Sequence, residues 1–412
     1  GREGPVVHLA AVISTYVSDK INANGITGRD LMGCAVASAV SASFNAPIAG
    51  ALFALEVVLR HFAINAFAPI VIASVAGTVI NRLEFGDVTE FSLGSDSALE
   101  FYWELPAFLI LGLVAGVVAA VFMRATFWAE DIGNDLQRRT GMPRWLRPAL
   151  AGVLLGGIAI VFHHIIGVGY ETTSDALTGQ LLLHEAIIFA IVKVIAVAIT
   201  FAGRMGGGVF SPSLMIGALT GLAFGMIATG IFPDVSGSET LYALAGMGAV
   251  AAAVLGAPIS TTLIVFELTG DWQTGLAVMV SVSLSTALAS RMVHRSYFLT
   301  QLERRNIHLA AGPQAYLLSM FRVGNVMRPV DGDNTASQEA LLTLIEQGQY
   351  IDRQATLERA MPVFESAGLD FIPVVTLAPG NAPPVLEGAL YQVDALKAYN
   401  RALAATAAEE HR

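Results

Sequence analysis

The chain has 412 residues, of which 54% are hydrophobic and only 14% charged, with a mean hydropathy of +0.62 and a formal net charge of −10. Ordinary soluble domains carry about 25% charged residues, so the whole cannot be a water-soluble globule, and without a basic stripe no nucleic-acid partner is expected. A single cysteine, Cys34, excludes an internal disulfide framework and reads as a packing residue in a small-residue run.

The first residues, GREGPVV, set a charged pair between two glycines and then turn apolar. A helix start exposes unpaired N–H groups and carries about half a positive charge. Gly1, Arg2 and Gly4, ahead of Pro5, therefore read as a helix N-terminus able to hold an anion on backbone amides. Glu3 has two local readings. It caps the helix, or it competes with an anion for the same place and leaves when protonated, serving as gate and proton acceptor. Arg2 either pairs with Glu3 or attracts anions. His8 reads as a packing histidine on an apolar helix face rather than a proton relay.

Apolar stretches follow to about residue 290. Met32–Phe44 and Pro47–Leu59 are short and interrupted, and the acidic stretch Glu84–Glu104 follows them. Leu105–Phe127 approaches the roughly 20 residues that a helix needs to cross the hydrocarbon core. A loop over residues 124–147 then carries Arg124, Arg138, Arg139, Arg144 and Arg147. Ala149–Val168, Ala186–Phe201, Leu214–Phe232 and Gly275–Ala289 are further span candidates, with a short Pro258–Glu267 between the last two. A second basic cluster, Arg291, His294, Arg295, Arg304 and Arg305, comes next. The positive-inside rule puts both basic clusters in the cytoplasm and the acidic stretch outside. Short broken helices at bilayer depth are tolerated where freed backbone lines a cavity, which points to transport. His163 and His164 lack partners at ligand spacing, so no metal site is expected. No Ser/His/Asp constellation suggests an enzyme.

An internal repeat organises these stretches. FNAPIAGALFALE (Phe44–Glu56) aligns without gaps on LGAPISTTLIVFE (Leu255–Glu267) at a constant offset of 211, and GREGP matches GVFSP (Gly208–Pro212) in its first and last residues. GGGVFSPSL has the same glycine-then-proline chemistry as GREGPVV, so Gly208, Val209 and Phe210 form a second candidate anion-binding helix start. Transporters built from inverted repeats place substrate where half-helix N-termini meet. The expected halves are residues 1–85 and 100–305 of a membrane domain spanning 1–305.

From about Arg304 charge becomes frequent, and 306–412 reads as a soluble α/β tail. TLERAMPVFESAG is an amphipathic helix, LDFIPVVT and LEGALYQ are strands, and VDALKAYNRALAA is a closing helix. Residues 328–350 read as a loop or a poorly defined helix.

Gly1–Pro5, Gly207–Pro212, the two segments that run from NAP or GAP to a glutamate, and FELTGDW (Phe266–Trp272) resemble the CLC family of chloride channels and chloride/proton exchangers. The resemblance covers residues 1 to about 305 in family order. It implies an all-α polytopic membrane protein with inverted repeats, a homodimer in a bilayer of bacterial inner-membrane type with its tail in the cytoplasm. Chloride is the implied transported ligand, with no cofactor required. It also implies that upstream helices with a GSGIP-type motif precede Gly1, in keeping with the absence of an initiator methionine. Glu3 corresponds to the gating glutamate, and Val209 and Phe210 to the residues whose amides hold the central ion. The pore tyrosine falls in SYFLTQLERR, at Phe298 by spacing from Arg304, or at its neighbour Tyr297. The inner proton-relay position is Val57, which leans toward a passive channel, with a chloride/proton antiporter as the alternative and a nucleotide-sensing membrane regulator as a second one. Glu56 and Glu267 read as structural. The tail resembles a single CBS unit, entered through VGNVMRP (Val323–Pro329), which implies an adenine nucleotide as its ligand class. Tyr391 replaces the usual hydroxyl residue three positions before Asp394, so a structural role is the leading expectation there.

Overall fold

The computed structural model describes residues 3–23, 25–60, 62, 64–86, 91, 104–233, 236–305, 318, 321–330, 335–376 and 384–410. It divides into two units, Gly1–Phe62 with Ala66–His308, and Leu309–Arg412 with Ala63–Asn65.

The first unit is built from helices α1 (Glu3–Lys20), α2 (Gly25–Phe44), α3 (Pro47–Phe53), α4 (Ile64–Phe85), α5 (Leu105–Thr140), α6 (Leu146–Val161), α7 (Tyr170–Leu177), α8 (Leu183–Ala202), α9 (Phe210–Ile231), α10 (Glu239–Leu255), α11 (Pro258–Thr269), α12 (Trp272–Met292) and α13 (Tyr297–Glu303). A π-helical turn, Ala54–Leu59, extends α3. Among the described residues five stretches are long and apolar enough to cross a membrane: Ala66–Phe85, α5, α8, α9 and Trp272–Glu303. Pro47–Leu59, α6, α10 and α11 are apolar but shorter.

Two sequence expectations change. The basic loop expected from Arg124 is helical as far as Thr140, because the charged residues there are good helix formers, and α5 stops only where Gly141 turns left-handed (φ +65°). Ala149–Val168 is not one span. The α6 helix ends at Val161, a 3-10 turn covers His163–Ile165, and Gly167 and Gly169 take positive φ before α7. The acidic stretch lies outside the described residues over 87–90 and 92–103.

The core runs between α9 and α10. Every residue of α10 from Leu241 to Leu255 is buried. The backbones nearly touch: a Cβ on Gly221 would lie 2.1 Å from the Tyr242 carbonyl oxygen, and one on Gly246 would lie 2.5 Å from that of Gly217. Glycine at this spacing is the small-residue device of membrane helix pairs. Gly221→Ala is expected to destabilise the fold by about 1–3 kcal/mol, the usual cost of overpacking. A thermal midpoint in detergent equal to wild type would contradict this contact. Asp271 caps α12 with bonds from Gln273 and Thr274 amides. Its carboxyl sits below the ordinary range, chiefly through the Thr274 hydroxyl, so this cap is retained above that range and lost only as pH falls beneath it.

The repeat is visible as repeated backbone geometry. Asn45 and Gly256, equivalent at the offset of 211, both turn left-handed (φ +55° and +70°). The next residues, Ala46 and Ala257, donate to the equivalent carbonyls of Ser41 and Ala252, at 3.2 and 3.1 Å. Each turn then starts a helix with proline in its first turn.

The second unit holds a four-stranded sheet in the order β1-β4-β3-β2, with β1 Arg328–Pro329, β2 Ile351–Asp352, β3 Phe371–Thr376 and β4 Val385–Tyr391. β2 and β3 are parallel, and the other pairs antiparallel. Helices Leu357–Ala367 and Gln392–Glu410 occupy the expected places, around a core that includes Leu357, Phe364, Ile372 and Leu390. The segment read as ill-defined contains a regular helix, Gln338–Glu346, capped by the Ser337 hydroxyl. Of VGNVMRP only Arg328–Pro329 is strand, preceded by a 3-10 turn at Val323–Asn325.

Candidate functional site

Glu3 opens α1 and is only 5% exposed. Its two carboxylate oxygens accept one hydroxyl each, from Tyr170 and from Ser211. Ser211 is the second residue of α9, and Tyr170 is the first residue of α7. A Cβ on Gly4 would stand 3.9 Å from the Gly208 Cα, so the start of α1 and the chain entering α9 lie side by side. The two glycine-led helix starts found in the sequence are thus one site. Gly1 and Arg2 lie outside the described residues.

The α9 start is held from the first repeat. Val209 and Phe210 are buried, and the Phe210 ring sits 5.0 Å from that of Phe44, which ends α2, and 6.2 Å from that of Phe53, which ends α3. Pro212, in the first turn, removes an N–H that has no intrahelical partner. The first helical bond runs from the Ser213 amide to the Val209 carbonyl (3.0 Å).

Tyr170 and Ser211 were not among the residues picked from the sequence. Ser211 was within the quoted GVFSP, and the signal for Tyr170 is the Gly-Val-Gly ahead of it. The left-handed turns at Gly167 and Gly169 (φ +68° and +86°) aim Tyr170 inward, where its ring meets Phe91 edge-on at 5.1 Å. Lys193, buried inside α8, braces this turn with bonds from Nζ to the carbonyls of Ile165 (3.1 Å) and Gly167 (3.3 Å). A cavity of about 510 Å³ adjoins it, lined by Lys193, Thr200, Gly206–Gly208 and Pro212.

Tyr297 and Phe298 begin α13 and part company. Tyr297 is buried and stacked on Phe127 at 4.7 Å. Phe298 is partly buried and edge-on to Tyr297 at 6.1 Å. The Tyr297 ring is thus engaged in packing, and substitution tests the pore place that spacing from Arg304 implies for Phe298. Phe298→Tyr is expected to tighten chloride binding several-fold by adding a donor, whereas Tyr297→Phe is expected to leave binding near wild type. Calorimetric chloride titration checks both.

Val57 lies in the π-helical turn, half-buried, and has no proton to give. Its neighbour Glu56 has a different task. The Glu56 carboxylate accepts the amides of Ile259 (2.9 Å) and Ser260 (2.8 Å) and the Ser260 hydroxyl (2.7 Å), at the start of α11. Glu267 does the same for α3, accepting the amides of Ile48 (2.9 Å) and Ala49 (2.7 Å). Each repeat caps the other, as a two-fold relation requires. His8, expected to pack, is exposed on α1. In the tail, Asp394 accepts Arg328 Nε at 2.7 Å, which raises the guanidinium pKa, and the Arg328 guanidinium covers the Tyr391 ring at 4.1 Å. The Asp394 carboxylate is thus already engaged within the tail.

Apolar membrane-length helices, interrupted helices between them, and a buried carboxylate where two helix starts meet form the architecture of an inverted-repeat membrane protein. The family model described as "Voltage gated chloride channel" matches residues 1–290, and the chain belongs to that family. A ClcB-like protein of Ralstonia nicotianae is 30% identical over 68% of this chain and 65% of its own length. An H(+)/Cl(-) exchange transporter ClcA of Yersinia pestis is 28% identical over 74% of this chain and 64% of its own. The chain thus spans slightly less than two thirds of these relatives. Among solved structures it shares its fold with a slow cyanobacterial Cl-/H+ antiporter (TM-score 0.66, 23% identity, 74% of this chain and 71% of that one). A CLC-type fluoride/proton antiporter is also similar (TM-score 0.61, 20% identity, 71% and 70%).

Proposed function

We propose that this chain carries the anion path of a CLC-type chloride transporter, with Glu3 as a protonatable plug. The supporting observation is the company of the Glu3 carboxylate: two hydroxyl donors at the junction of two helix N-termini. Donors that hold a carboxylate will hold any small monovalent anion that replaces it. Amide and hydroxyl donors bind without a fixed cation, so the ion is held but also released, as conduction demands.

Coupling has two supported readings. Val57 in place of a relay carboxylate favours passive conduction, the lean taken from the sequence. The exchange activity named for the ClcA relatives favours proton-coupled exchange at least as well. Chloride currents or fluxes from the reconstituted full chain, measured under a pH gradient, test both. A reversal potential that moves with the pH gradient establishes exchange, one fixed at the chloride potential establishes a channel, and absence of chloride flux refutes the function. A homodimer with a cytoplasmic tail completes the proposal. An adenine nucleotide at the tail would first have to displace Arg328 from Asp394.

A further inference from the structure

Arg204 occupies a backbone conformation that arginine disfavours. It follows Gly203, the C-cap of α8, and has φ +53°. That is the left-handed position just past a helix where glycine is the usual residue. Among the described residues four non-glycines have positive φ. Two are asparagines, which tolerate it, and the others are Arg60 and Arg204. Strain of this kind persists where the surroundings over-determine it, and it gathers at functional sites.

Arg204 lines a polar cavity of about 630 Å³, together with Arg304, Arg305, Gln301 and Glu130. The same cavity reaches Gly206 and Gly207, the residues that lead into the Gly208–Phe210 helix start. Its lining includes three arginines and one acidic residue. Their placement is built. The Asn134 Oδ1 atom accepts Arg204 Nη2 at 3.0 Å and Arg147 Nη1 at 2.8 Å. Asp131 pairs with Arg304, whose guanidinium lies 5.1 Å from the Phe127 ring centroid. Asp131 and Asn134 belong to the part of α5 that runs beyond its apolar span, so this extension is the scaffold of the arginine cluster.

We propose that Arg204, with Arg304 and Arg305, forms a capture site for small inorganic anions at the mouth of the path, from which they pass along the glycine loop to the amide seat. This rests on the reading of that seat as an anion site. Clefts lined by one sign of charge raise local counter-ion concentration and entry rates, whereas the seat itself needs no cation. Glycine would satisfy the backbone at residue 204, so the arginine is there for its side chain.

The test uses the full chain in planar bilayers, with chloride varied on one side at a time. Arg204→Gly relieves the left-handed backbone, so the variant is expected to fold with a thermal midpoint at or above wild type. Arg204→Asn, also neutral and tolerant of this conformation, serves as the second variant. Both are expected to raise the half-saturating chloride concentration by about threefold to tenfold on the arginine side only, with a smaller effect on maximal flux. Added sulfate salt is expected to close the gap between variant and wild type by screening the cluster. If both variants keep the wild-type chloride dependence, or change it equally from both sides, the capture site is refuted while the seat stands. If wild type itself carries no chloride, the reading of the seat fails and the capture site falls with it.

Discussion

Replacing Glu3 by glutamine is expected to remove the acid response of chloride flux. Glutamine keeps the size and one carbonyl acceptor but carries no charge, so it no longer competes for two hydroxyls and two helix N-termini. A plug of this kind leaves the seat on taking a proton, so the proposal expects wild-type flux to rise toward acid. In Glu3→Gln the seat is vacant at every pH, and flux at neutral pH is expected to rise about tenfold, the equivalent of about 1.4 kcal/mol of lost competition. An exchanger would in addition lose proton movement while retaining chloride movement, which a pH electrode reads beside a chloride electrode. The rival reading, a carboxylate that only caps α1, predicts a loss of about 0.5–2 kcal/mol in stability with the pH profile of flux retained. A wild-type pH profile in the variant would refute the plug.

The second large effect is expected at the reciprocal caps. Glu56→Ala strips one acceptor from two amides and a hydroxyl at the start of α11. Hydrogen bonds to a charged group contribute about 1.5–3 kcal/mol each, but water and relaxation recover part of this. A net destabilisation of about 2–4 kcal/mol is therefore expected, with Glu56→Gln costing less because one acceptor remains. Glu267→Ala, which frees two amides, is expected to cost slightly less than Glu56→Ala. Both carboxylates tie α3 to α11, so the double variant should deviate from additivity. Unfolding in mixed micelles, followed by tryptophan fluorescence, measures all four variants. Wild-type stability in Glu56→Ala would show that the caps carry no weight. A loss of flux without loss of stability would instead assign Glu56 to transport.

Local pattern was sufficient for some elements and misleading for others. The extents of α8, α9 and α12 follow from apolar runs, since a bilayer demands continuous apolar length. Periodicity placed both principal helices of the tail and the strands β3 and β4. The extension of α5 was hidden because charge density reads as loop, although Asp131 and Asn134 are helical residues that hold arginines from elsewhere in the chain. The break after α6 was hidden because apolar residues flank His163 and His164 on both sides, so the run reads as one span. The helix ends at Val161 with a 3-10 turn behind it, and the left-handed Gly167 and Gly169 then redirect the chain by a φ that no composition displays.

At the site the sequence by itself determined the chemistry of the two helix starts, the repeat and the residue Glu3. Glycine, proline and a carboxylate have local preferences that survive any fold, and a constant offset of 211 between equivalent residues is a property of the string. Only the tertiary structure decided which groups hold that carboxylate, because Tyr170 and Ser211 stand 167 and 208 residues away from it. It also placed the Tyr297 ring against Phe127 and Phe298 beside it, and it showed Glu56 and Glu267 to be crossed caps. These are contacts between distant parts of the chain, and local propensity carries no information about which distant donor a buried charge will find.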